Sequence, residues 1–278
     1  MKLKSLTKLM IAVMALSLGV FFACGKAGKG EKVVVKGSTT VLPITQKAIE
    51  AYAKVKKDVS ISVDGSGSGN GIKALLDGTT DIAQASRAMK DKEFKKAKET
   101  GVEVKEIVVA YDMIVPVVHP SNGITNITMD QLLGIYEGKI KNWKELGGKD
   151  ENIVVMSRDT SSGTYEFWNE AVLKKKDVRK DALLQASNGA VVSAVAGNPK
   201  SIGYIGFGYL NESVKVLQVN GIEPTIENGK IKKYPVSREL YMYANEKKFS
   251  DAAKGFIDFI LGDEGQKLVK EAGFIPLK

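Results

Sequence analysis

Lys32-Val33-Val34-Val35-Lys36-Gly37-Ser38-Thr39-Thr40-Val41-Leu42-Pro43-Ile44 passes from an apolar run, through four small residues, into the start of a helical pattern. Val33–Val35 reads as a short buried strand. Ile44, Ala48, Ile49, Tyr52 and Ala53 recur at helical spacing over residues 44–57. Pro43 stands at the first turn, where a helix tolerates it. A junction of this kind leaves backbone N–H groups unpaired at the positive end of the helix dipole. Small residues let an anion approach those groups closely.

The same junction recurs twice. Val59-Ser60-Ile61-Ser62-Val63 alternates as a strand and runs into Gly65-Ser66-Gly67-Ser68-Gly69-Asn70-Gly71, after which a helix is expected over residues 72–76. A strand over residues 153–157 leads past Arg158 into Ser161-Ser162-Gly163-Thr164 and a helix over residues 165–176. One such loop is ordinarily a helix cap. Three of them, one with an arginine, describe a site that surrounds a small oxyanion with donors.

The elements between them set the class. A strand over residues 82–85 ends at Ser86-Arg87, and a charged helix over residues 90–100 is closed by Gly101. Alternating strand, loop and helix predict an α/β fold with a mainly parallel sheet. Two β-forming runs, residues 104–110 and 113–118, precede a second block of the same kind. There, helices are expected over residues 128–136 and 191–196, a strand over 202–205, an edge strand at 215–217 and a glycine-rich loop over 220–230. A strand over 240–244 and helices over 252–261 and 264–272 close the chain. Trp143 and Trp168 read as core of the second block, and His119, before Pro120, as a surface loop residue. Clusters one and two lie in the first block and cluster three in the second. If the blocks are separate sheets, the three converge only across a cleft, at the carboxyl ends of strands where α/β ligands sit.

The N-terminus has another purpose. Lys2, Lys4 and Lys8 precede an uncharged run over residues 9–23, ending Phe21-Phe22-Ala23-Cys24. This is a basic region, an apolar region and a small residue before a candidate cleavage point. The run is shorter than the roughly 20 residues a spanning helix needs. Cys24 is the sole cysteine, so no internal disulfide can form. Its position resembles the lipobox of bacterial lipoproteins, with Phe21 where that motif usually has leucine. The expectation is a lipoprotein signal peptide over residues 1–23, a lipidated Cys24, and a flexible glycine-rich tether over residues 24–32.

The whole chain of 278 residues is long enough for two lobes, and its 44% hydrophobic and 26% charged content is that of a soluble globular protein. Removal of residues 1–23 takes away three lysines and no acids, so the net charge falls from +9 to +6. The basic residues are interspersed with acids, as in Lys92-Glu93 and Lys98-Glu99, with no aromatic-interleaved stripe, which argues against nucleic acid. The excess suits an anionic ligand or membrane surface. Catalysis has little to work with. Gly65-Ser66-Gly67 lacks the third glycine of a dinucleotide fingerprint, and neither a phosphate-loop Gly-Lys-Ser/Thr run nor a Gly-x-Ser-x-Gly elbow occurs. With one histidine and one cysteine, nucleophile–base pairs and zinc sites are hard to assemble. No cofactor is expected.

In this order the motifs resemble those of the phosphate-binding proteins of bacterial phosphate ABC transporters. They are Gly37–Pro43, Gly67–Lys73, Asp81–Arg87, Ile135–Trp143, Arg158–Thr164 and Glu264-Gly265-Gln266. The resemblance runs from about Val33 to Lys278. It implies a two-lobed periplasmic-binding-protein fold of the class II type, with a ligand cleft between lobes joined by two hinge strands. Lobe I would take residues 33–112 plus 238–278, and lobe II residues 113–237. It also implies a monomeric, extracytoplasmic, membrane-anchored receptor for inorganic phosphate, not an enzyme, with ABC permease subunits as partners. Carried over by motif, the phosphate-binding residues are Thr39, Thr40, Ser68, Arg158, Ser162, Gly163 and Thr164. Arg87 stands where many members have an aspartate that accepts the phosphate proton. An arginine cannot accept it, and Arg87 is instead expected as a second cation at the anion. Sulfate or molybdate binding, and an adhesin reusing the fold, are the alternatives.

Overall fold

The computed structural model describes residues 30–278. The expected signal peptide, Cys24 and most of the tether lie outside the described residues.

The first lobe opens with β1 (Glu31–Gly37), α1 (Leu42–Val55), β2 (Val59–Asp64), α2 (Ser68–Leu76), β3 (Ile82–Ala85) and α3 (Asp91–Thr100). Helical crossovers make β1 parallel to β2 and to β3. β4 (Val104–Val118) then runs for 15 residues as one strand, where the sequence had suggested two segments. Next come β5 (Asn126–Ile127), α4 (Met129–Glu137), β6 (Val154–Arg158), α5 (Gly163–Ala171), β7 (Leu183–Gln185), α6 (Asn188–Ala196) and β8 (Ser201–Gly206). β9 (Lys215–Val216), β10 (Gln218–Val219) and α7 (Ile226–Lys230) lead to β11 (Ser237–Asn245), α8 (Asp251–Leu261) and α9 (Asp263–Glu271).

The strands form one hydrogen-bonded path, β2-β1-β3-β11-β4-β8-β6-β7, with β9 beside β4. The sheet is mixed, not mainly parallel as expected. β11 runs antiparallel to both β3 and β4, and β4 antiparallel to β8. β4 and β11 are the joint. Residues 104–113 of β4 pair with β11, and residues 114–118 pair with β8. The register of the β4–β11 pair shifts between Leu240 and Tyr241, the local bend that a bulge gives a strand.

The apolar residues gather on either side of this joint. Val33, Val35, Ile44, Ile82, Leu240, Phe256, Ile260 and Phe274 build one core. Val117, Tyr136, Trp143, Val155, Trp168 and Tyr204 belong to another. In the second, Trp168 stacks on Tyr204 with ring centroids 4.4 Å apart; such a pair adds about 0.5–1.5 kcal/mol beyond area burial. α8 and α9 return to the first core. Gln266 fastens them by donating to the Val109 carbonyl (3.1 Å) and accepting from the Leu277 amide (2.7 Å).

Two helix boundaries differ from expectation. α2 begins at Ser68, so the end of the second glycine cluster is its first turn rather than a loop. α5 ends at Ala171, because Lys174 and Lys175 turn into positive φ (53° and 65°). α7 occupies the end of the stretch expected as loop, and β7 is a strand the pattern missed.

Candidate oxyanion-binding site

Each of the three junctions is wound by its own small residues. Ser38 Oγ accepts from the amides of Thr40 (3.0 Å) and Val41 (3.3 Å), turning β1 into α1. Gly67, with φ 104°, admits α2 and lies so close to Ser161 that a Cβ there would stand 2.8 Å from its carbonyl oxygen. Only glycine suits both demands. Ser162 caps α5 by accepting from the Tyr165 amide at 3.2 Å. In the first turn of α5 the amides of Gly163 and Thr164 have no partner within the helix.

The two lobes meet at these junctions. Gly69 donates its amide to the Ser161 carbonyl (3.0 Å), and Thr40 Oγ1 lies 2.9 Å from Thr164 Oγ1. Gly163 sits directly against Ser68 Oγ, and a Cβ on it would also come within 2.9 Å of Ser86 Oγ. The structure therefore brings together Thr39, Thr40, Ser68, Arg158, Ser162, Gly163 and Thr164, all of them buried.

Arg158, last residue of β6, lies at the centre and is 1% exposed. Its Nε donates to the Gln185 carbonyl (2.9 Å); Nη2 donates to the Ala186 carbonyl (3.0 Å) and to Thr39 Oγ1 (3.3 Å). Nη1 is buried with no partner. Among the described residues no carboxylate pairs with this guanidinium. The neighbouring Asp159 accepts from the Ser161 amide and hydroxyl instead. Burial presses the Arg158 pKa down. Behind it, the Tyr204 hydroxyl accepts from the Arg158 amide (3.1 Å) and bonds Ser157 Oγ (3.0 Å), fixing the strand end.

Arg87 is placed otherwise than expected. Its Nη1 and Nη2 grip the two oxygens of Glu93, each at 2.8 Å, and its Nε pairs with Glu166 of the opposite lobe. Lys90 reaches the same Glu166 carboxylate at 3.1 Å. Two carboxylates occupy the guanidinium fork, so in this structure the charge that the sequence offered as a second cation for the anion is answered by the protein.

Several residues of the cluster went unread. Asp112 of β4 and Arg238 of β11 form a buried ion pair (2.7 Å) on the two joining strands. Burial pushes the Asp112 carboxyl up and Arg238 down, each opposed by the other's charge. Arg238 Nη2 also reaches Thr40 Oγ1 at 3.5 Å, and Nη1 donates to the Ser86 carbonyl at 3.0 Å. A charged residue inside each of two apolar strands was the available signal. Asn188 opens α6 and donates to both Thr39 Oγ1 (3.3 Å) and Thr40 Oγ1 (3.0 Å). Ser187-Asn188-Gly189 was readable as a fourth helix start of small residues.

A family model of the PBP superfamily domain matches residues 25–264. A phosphate-binding protein PstS from Borreliella burgdorferi is 34% identical, over 98% of this chain and 99% of its own. The chain belongs to the PstS phosphate-binding protein family. A second PstS, from Staphylococcus saprophyticus, is 38% identical over 92% of this chain and 85% of its own. A Clostridium perfringens protein, assigned as a phosphate ABC transporter substrate-binding protein and solved with bound phosphate, superposes with a TM-score of 0.84. It is 40% identical, covering 89% of this chain and all of its own. The two-lobed α/β architecture is thus the PstS one. Among the described residues no helix is long and apolar enough to cross a membrane.

Proposed function

We propose that this chain is an extracytoplasmic receptor, not an enzyme, that captures inorganic phosphate between its lobes and hands it to the permease of an ABC transporter. Arg158 carries the reading. A guanidinium 1% exposed, without a carboxylate and with Nη1 unpartnered, is costly to bury unless an anion joins it. Around it stand the hydroxyls of Thr39, Thr40, Ser68, Ser162 and Thr164 and the amides that open α5. These are donors from several directions, which four phosphate oxygens require. Hydrogen bonds to charged groups contribute about 1.5–3 kcal/mol each, and micromolar affinity corresponds to about −8 kcal/mol, so a few such bonds suffice after the cost of closure.

Arg87 is left out of the ligand shell in this reading and serves the lobe contact instead. The lobes take residues 33–112 plus 238–278 and residues 113–237, closing about β4 and β11. Cys24, lipidated after removal of residues 1–23, tethers a monomeric receptor at the membrane surface. Calorimetric titration of phosphate, with sulfate and molybdate as competitors, tests the assignment. Tight phosphate binding that neither competitor displaces supports it; binding of sulfate or molybdate alone overturns it.

A further inference from the structure

The Thr39 hydroxyl beside Arg158 has both its lone pairs already spoken for. Asn188 is fully buried, and its Oδ1 accepts from the Gly206 amide at 3.1 Å. A backbone N–H can only donate, so this bond fixes which end of the amide is oxygen and leaves Nδ2 as the donor. Both Nδ2 hydrogens are used, one on Thr39 Oγ1 (3.3 Å) and one on Thr40 Oγ1 (3.0 Å). Each hydroxyl also meets a guanidinium that can only donate: Arg158 Nη2 at 3.3 Å from Thr39 and Arg238 Nη2 at 3.5 Å from Thr40. A hydroxyl has two lone pairs and one proton. With N–H groups on both lone pairs, the proton must leave in the one remaining direction: for Thr40 that is Thr164 Oγ1 at 2.9 Å, whereas the Thr39 proton meets no acceptor among the described residues.

Resting on the phosphate-receptor reading, we infer that Asn188 is a positioning residue, which locks the Thr39 hydroxyl as a donor to the bound oxyanion. Asn188 and Thr39 stand on opposite lobes, so the lock forms as the lobes close, and it holds the hydroxyl proton toward the enclosed ligand. A freely rotating threonine would spend part of its time offering lone pairs to an anion, which repel it. The locked hydroxyl is matched to an unprotonated oxygen of the ligand.

The test is calorimetric titration of phosphate into wild type, Asn188→Ala, Thr39→Val, and the double variant, with melting temperature recorded without ligand. Asn188→Ala is expected to weaken phosphate binding about tenfold. That loss should largely vanish in the Thr39→Val background, because the hydroxyl through which Asn188 acts is gone. Asn188→Leu, which keeps the volume and removes both amide groups, should repeat the result if the alanine variant does not fold. An unchanged dissociation constant in the single variant overturns the inference, as does a tenfold loss that persists undiminished beside Thr39→Val. Failure of the wild type to bind phosphate would instead overturn the receptor reading itself.

Discussion

Glu166, near the start of α5 in one lobe, forms an ion pair with Arg87, two residues past the end of β3 in the other, and both side chains are largely buried. Lys90 closes on the same carboxylate at 3.1 Å. The two sides of this contact are unequal. Arg87 keeps Glu93, from its own lobe, whether or not the lobes touch, whereas Glu166 meets its cations only across the cleft. The contact is therefore a property of the closed arrangement, and it stabilises closure without touching the ligand.

Glu166→Gln should accordingly weaken phosphate binding by about tenfold, the loss of a cross-lobe charge pair converted at about 1.4 kcal/mol per decade. The melting temperature without ligand should barely move. In the pair Glu166→Gln, Arg87→Gln, the second substitution should add little to the first. Titration calorimetry of the three variants decides it; full additivity would show that the two residues act separately.

Arg158→Met should abolish most phosphate affinity, by about a hundredfold or more, since the lost bonds are charge-assisted. The same substitution removes a buried, unmatched cation, and an apolar side chain of similar length takes its place. The ligand-free protein should then melt no lower than wild type, and higher if the desolvation cost dominates. Calorimetry and thermal denaturation, with and without phosphate, separate the two effects.

Gly163→Ala places a methyl group against Ser68 Oγ and within 2.9 Å of Ser86 Oγ, where overpacking costs about 1–3 kcal/mol. The clash lies between lobes, so it falls on closure and not on folding. The expected outcome is a ligand-free melting temperature close to wild type, with the rise caused by phosphate greatly reduced. A lowered melting temperature with full affinity would place the strain inside one lobe.

The three glycine-serine junctions were legible because strand period, small residues and helix period follow one another along the chain, and that order is local. Arg158 stood out as the one arginine beside such a junction. What could not be read is what the second lobe does to the first. Arg87 looks like an anion ligand in sequence, since Glu93 is only six residues on but belongs to a separate helix, and Glu166 lies 79 positions away. The mixed sheet was missed for a similar reason. β11 reads as one more strand, and only its insertion between β3 and β4 reverses the local direction. Asn188 reads as an ordinary helix start until Thr39 and Thr40 are brought to it from about 150 residues upstream.

Cys24→Ser should free the protein from the membrane. Lipid chains hold by about 0.8 kcal/mol for each buried CH2 group, and the glycine-rich tether offers no apolar surface to replace them. In cells, the wild type is expected in the membrane fraction and labelled by a tagged fatty acid. The serine variant should be unlabelled and soluble, with phosphate affinity unchanged. A labelled serine variant would remove Cys24 as the anchor.

Glu93 should give the Arg87 cluster an acid limit. Burial raises its carboxyl pKa, but the forked bond from Arg87 and the Lys90 amide lower it further, leaving it below the ordinary value of 4.5. A carboxylate with a depressed folded-state pKa contributes stability that is complete above the unfolded value and is lost as pH falls through the folded one. Glutamine at this position can still serve the helix cap, since its side-chain oxygen can accept from the Lys90 amide, but it carries no charge for Arg87. Glu93→Gln should therefore melt below wild type at pH 7, and the gap should narrow as pH drops below about 4.5, closing once the wild-type carboxyl is protonated. Melting curves of both proteins from pH 7 to pH 3 test this. A gap that stays constant across the range would mean that Glu93 supports the cluster by shape and not by charge.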